Sequence, residues 1–115
     1  MAAGQMVDGY PYICGGRRNL NDNFEDKCYK ITPQSAFPLS SLATARAYSS
    51  AAVFNNALFI TGGYHSLYGV LNSTEYISES NQQNGPDVPI ETHSHCVIQI
   101  NANEILLTGG FSSGM

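Results

Sequence analysis

The residues of this chain best suited to chemistry are three cysteines, Cys14, Cys28 and Cys96, and the run His93-Ser94-His95-Cys96. Alternate residues of a strand share a face, so His93 and His95 could grip a metal ion from one side. No third ligand accompanies them, and the expectation is two hydrogen-bonded histidines and no metal. Cys96 lacks an obvious activating neighbour and reads as a small buried apolar side chain rather than a nucleophile. The absence of any C-x-x-C pair argues against structural zinc. The stretch "NLNDNFED" at 19–26 gathers acidic and amide oxygens. It lacks the glycine and bidentate glutamate of an EF-hand loop and reads as a solvated loop. No carboxylate pair stands out as a glycosidase dyad. No catalytic residue and no cofactor is therefore expected within the chain. Asn72-Ser73-Thr74 is a glycosylation sequon.

These residues sit in a chain written to a ruler. "YICGG", "FITGG" and "LLTGG" place Gly15, Gly62 and Gly109 at intervals of 47 residues. Ile13, Ile60 and Leu107 form an apolar column at the same spacing, and Tyr29 aligns with Tyr76, Asn56 with Asn103, and Thr61 with Thr108. So many ungapped columns mark an internal repeat. Each unit reads as short strands rich in β-branched and aromatic residues, bounded by turn formers. "AYSSAAVF" reappears as "SHCVIQI", and "ALFIT" is matched by "EILLT" and "YPYIC". "KCYKI" and "STEYI" supply a third strand, and "SAFPLSSL" a fourth, where Pro38 suits an outer edge. The expectation is an all-β chain of four-stranded antiparallel meanders, in units of approximately 1–45, 46–92 and 93–115.

The ruler also sets Cys14 and Cys28 opposite one another, at the end of a second strand and the start of a third. A cross-strand disulfide is expected there, the alternative being two separately buried thiols. Closing a loop of that length stabilises by about 3 kcal/mol through chain entropy. It would imply an oxidising compartment. An extracellular location is expected on that basis, helped by the sequon at Asn72, with a cytoplasmic one as the alternative. The start "MAAGQMVDGYPYI" lacks the basic and apolar regions of a signal peptide, so a secreted form would need a longer precursor.

A unit of this length, with a double glycine closing the second strand and a tyrosine in the third, resembles the kelch repeat, one blade of a β-propeller. From Tyr29 the family's apolar positions fall on Leu39 and Leu42, and its arginine before the next inner strand on Arg46. The family's outer-strand tryptophan is missing: Ala36 and Gln83 stand in its place, and "NGPDVPIETHSHC" looks like kelch-type chains of secreted or invertebrate origin. The resemblance implies an incomplete ring of about two and a half blades. It also implies a rim, at one mouth of the central channel, built from the loop after each Gly-Gly and the start of each inner strand. That places Arg17, Arg18, Arg46, Tyr48, Tyr64, His65, His93, His95 and Phe111 as candidate binding residues. The expected function is a non-catalytic module binding a protein or peptide, or a glycan. Two alternatives remain: a fragment of a galactose-oxidase-like or glycosidase-like propeller whose catalytic residues lie outside this chain, and a self-assembling structural half-propeller. Either the remaining blades or further copies would then cover exposed apolar surface on a terminal unit.

Composition narrows the partners. Five Lys and Arg and a net charge of −4 offer no basic face for a phosphate backbone, which argues against nucleic acid. No apolar run approaches the length that spans a bilayer.

Overall fold

The structure, a computed structural model, describes residues 3–7, 9–16, 24–54, 57–65, 67–88, 93–101 and 104–111. Among the described residues every regular element is a strand. Strands β1 (Ala3–Val7), β2 (Tyr10–Cys14), β3 (Cys28–Ile31) and β4 (Ala36–Pro38) form one antiparallel meander in chain order. A second four-stranded sheet runs β5 (Ser50–Phe54), β6 (Ala57–Thr61), β9 (Thr74–Ile77), β10 (Gln82–Asn84). Between its second and third strands sits a hairpin that the repeat pattern did not suggest, β7 (Tyr64–His65) with β8 (Gly69–Val70). Strands β11 (His93–Asn101) and β12 (Glu104–Phe111) pair as a third, two-stranded sheet. The first strand of each sheet lies beside its counterpart, β5 between β1 and β11.

The pairing shows that the ruler slips within each unit. Ser50↔Thr61 repeats Ala3↔Cys14 at an offset of 47 on both strands. Cys14, however, faces Cys28, whereas Thr61 faces Thr74, 46 residues beyond Cys28. The outer pair keeps that shorter offset, Tyr29↔Pro38 becoming Glu75↔Asn84. The cause is one residue fewer between β6 and β9 than between β2 and β3. A slip of one residue moves a side chain to the other face of a sheet. The expected match of Tyr29 with Tyr76 therefore does not hold in space. Tyr29 occupies the place of Glu75, and Tyr76 that of Lys30.

Tyr12, Cys14 and Cys28 on one face of the first sheet pack with Leu42 and with Ala51, Leu58, Ile60 and Ile77 of the second. Tyr12, Leu58, Ile60 and Ile77 are each 0% exposed. Burial of aliphatic side chains of this size stabilises by about 2 kcal/mol apiece, which makes this inter-sheet layer the main cohesive element. The Cys14 and Cys28 sulfurs lie 2.11 Å apart with Cα atoms at 4.1 Å, so the expected cross-strand pair stands at disulfide distance within that layer. Pro38 ends the exposed outer strand β4, as an edge position allows. No helix among the described residues is long and apolar enough to cross a membrane.

Candidate functional site

Arg46 is the residue on which sequence and structure differ most. Its place before an inner strand suggests an exposed rim contact, yet the side chain is 0% exposed. All five guanidinium donors are used. Nε donates to Thr44 O at 3.4 Å; Nη1 to Gly62 O at 2.8 Å and Ser73 O at 2.9 Å; and Nη2 to Ser73 Oγ and Glu75 Oε2, both at 2.9 Å. Burial draws the guanidinium below its ordinary pKa, and the charge and hydrogen bond of Glu75 oppose that shift. A guanidinium is so basic that it stays charged at neutral pH. Glu75, 1% exposed, completes the node. Its Oε1 accepts from Ala43 N at 2.6 Å and Gln82 Nε2 at 2.7 Å, and its Oε2 also accepts from Thr44 N at 3.1 Å. The Arg46 backbone reaches the first sheet's loop, accepting from Gly16 N at 2.8 Å and donating to Glu25 O at 3.2 Å. Arg46 is thus a strut between units. The contrast with Lys30–Glu79, 3.5 Å apart on a half-exposed surface, is one of magnitude: such a pair contributes at most about 1 kcal/mol.

The strut fixes a loop cluster that does reach solvent. Gly62 and Gly63 adopt φ 59° and 104°, turning the chain out of β6. A Cβ on Gly63 would lie 2.7 Å from Ala47 O and 2.9 Å from Ser49 Cβ, so only glycine lets the two segments approach. The approach is locked by Ala47 N donating to Tyr64 O at 3.1 Å and Tyr64 N to Ala47 O at 2.8 Å. Tyr48, next in line, has φ 58°, the one positive value at a non-glycine among the described residues. That conformation costs an L-residue about 1–2 kcal/mol. Tyr48 nonetheless presents a 46% exposed side chain. Ser49 Oγ beside it is buried with no hydrogen-bond partner among the described residues.

Across the bridge, His65 is held by the turn of its own hairpin. Its Nδ1 accepts from Leu67 N at 3.0 Å and Tyr68 N at 3.4 Å, which fixes the proton of the neutral ring on Nε2. Tyr68 stacks on the imidazole at 4.6 Å, and Phe24 lies 6.2 Å from it and 5.8 Å from Tyr64. Tyr64, Leu67 and Tyr68 are 36%, 82% and 70% exposed. The structure therefore brings Tyr48, Tyr64 and His65 onto neighbouring segments and adds Phe24, Leu67 and Tyr68. The last three stood in the sequence only as a local excess of apolar rings around "YHSLYG" and a phenylalanine in an acidic loop.

The other candidates fall apart from this cluster. Arg17 and Arg18 lie outside the described residues. His93 pairs with Phe111, and His95 with Gly109, in the β11–β12 ladder, whose backbone alone is described. Asn72 is half-buried after β8, and its sequon partners have structural duties. Ser73 receives Arg46, and Thr74 Oγ1 donates to Pro86 O at 2.6 Å. A concavity of about 420 Å³ opens beside Tyr10, Phe37, Leu39 and Glu79, where Lys30 is already engaged by Glu79 and the Tyr10 ring. Among the described residues no three His, Cys, Asp or Glu side chains gather as a metal site. Compared with known proteins, the chain matches no family model and no curated protein.

Proposed function

We propose that this chain is a non-catalytic binding module built from kelch-type propeller blades, and that it holds a protein or peptide through the loop cluster of Tyr48, Tyr64, His65, Leu67 and Tyr68. The observation that carries the reading is an exposed aromatic patch on a rigid frame. Tyrosines offer large contact area at low conformational cost and are common anchors of interfaces. Here their backbone is pinned by a two-bond bridge, a glycine contact and a buried arginine strut. The strained φ of Tyr48 and the orphaned Ser49 hydroxyl are costs the fold alone does not need, which suits a surface selected for contact. The blade reading is supported by two meanders of one topology, by the side-by-side first strands and by the paired glycines at positive φ in both units. An extracellular setting is supported by the Cys14–Cys28 pair and the sequon at Asn72.

The test is selection of peptides from a random displayed library against the folded chain, with a glycan array run in parallel. Selected peptides should bind the native chain and lose about tenfold or more in affinity to Tyr68→Ala and Tyr64→Ala, as truncation of an anchor requires. Peptides indifferent to both substitutions would remove the site. Binding on the glycan array alone, lost in the same variants, would keep the site and replace the partner class.

A further inference from the structure

The two sheets carry the same face in two different states. Cross-strand partners share a face, so Pro11, Ile13, Tyr29, Ile31 and Pro38 lie together on one side of the first sheet, opposite Tyr12, Cys14 and Cys28. Through the observed register, Pro11, Ile13, Tyr29 and Ile31 correspond to Leu58, Ile60, Glu75 and Ile77 of the second sheet. In the second sheet that face is closed, at 0%, 0%, 1% and 0% exposure, because the Tyr12 face of the first sheet packs over it. In the first sheet Ile13, Tyr29 and Ile31 are only half-buried, and Pro11 and Pro38 are exposed. These five side chains carry no charge. At the other end, β5 packs on β11, and no described element packs beyond the β11–β12 sheet.

We infer that the open Ile13–Tyr29–Ile31 face is a docking surface for a second copy of this chain, whose β11–β12 sheet covers it as the first sheet covers the second. The covering geometry is read from the contact already made inside the chain, where one face of a sheet seats on the opposite face of the next. Continuing that relation from one molecule to another gives a heterologous, head-to-tail contact, with different surfaces meeting. A symmetric contact would instead set Ile31 against Ile31 and repeat no packing found in the molecule. The contact uses none of Tyr48, Tyr64, His65, Leu67 or Tyr68, so this inference and the proposed binding site can fail separately.

Sedimentation of the native chain over a wide concentration range supplies the first test. Concentration-dependent association is expected, and a monomer throughout overturns the proposal. The second uses Ile13→Asp with Ile31→Asp, which puts two carboxylates on the docking face. Self-association should weaken by about a hundredfold or more while the circular dichroism spectrum is kept, since burial of an unpaired carboxylate is costly. Undiminished association overturns the proposal. If the double variant does not fold, Tyr29→Lys takes its place with the same readouts. The third mixes the native chain with the variant. A head-to-tail contact leaves the variant able to cover a native molecule, so mixed complexes should form; their absence overturns the head-to-tail arrangement.

Discussion

Glu75→Gln is the substitution whose cost follows most directly from the structure. It keeps the volume and one acceptor oxygen but removes the charge facing Arg46 Nη2 at 2.9 Å. It also converts the other acceptor into a donor. The side chain now accepts two bonds from the backbone, at Ala43 N and Thr44 N, and two from Arg46 and Gln82. Whichever way the amide turns, a donor meets a donor and a buried guanidinium loses its counter-charge. Breaking one side of a buried ion pair costs about 3–5 kcal/mol. For a domain of this size each kcal/mol lowers the melting temperature by about 4 °C, so the loss should be about 12–20 °C. Urea denaturation of the native chain, Glu75→Gln, Arg46→Met and the double variant measures it and yields the coupling energy. The double variant should not return to native stability, because Ala43 N, Thr44 N, Gly62 O and Ser73 O would all lose partners. A cost under about 1 kcal/mol for Glu75→Gln, or a coupling near zero, would refute the account of Arg46 and Glu75 as the strut between the sheets.

Three further outcomes follow from single contacts. Mass spectrometry under non-reducing denaturation should find Cys14 and Cys28 joined, and replacing both with serine should cost about 3 kcal/mol; two free thiols there would overturn the pairing. Gly63→Ala should destabilise by more than about 2 kcal/mol, because its Cβ meets the Ala47 carbonyl, while Gly9→Ala, open to space at φ 80°, should cost only about 1 kcal/mol; equal losses would show that backbone angle alone decides. Tyr48→Gly should relieve about 1 kcal/mol of backbone strain while weakening the selected peptides, and a loss of stability on that change would show that the tyrosine is held by packing instead.

Much of this protein is legible in one dimension. The recurrence of Gly-Gly after an apolar run, the alternation of short strands with turn formers and the position of Pro38 suffice for an all-β chain of repeated meanders. They suffice because strand pattern and turn chemistry are local properties. The same ruler marked Cys14 and Cys28 as a facing pair, since two strands joined by one short loop can meet in few ways. It also singled out Tyr48, Tyr64 and His65 from their place beside the glycines.

Register and burial were decided in three dimensions. A constant spacing aligned Tyr29 with Tyr76, but a loop shorter by one residue reassigned Tyr29 to the place of Glu75, because hydrogen-bond ladders count residues from the strand and not from the preceding glycine. Nothing local distinguishes an arginine that reaches into solvent from one that reaches inward. Arg46 is buried because Glu75, 29 positions away, meets it with a carboxylate and the carbonyls of Gly62 and Ser73 take its remaining donors. The half-open face of Ile13, Tyr29 and Ile31 was equally hidden, since a repeat predicts equal faces and only packing shows which of them has a neighbour.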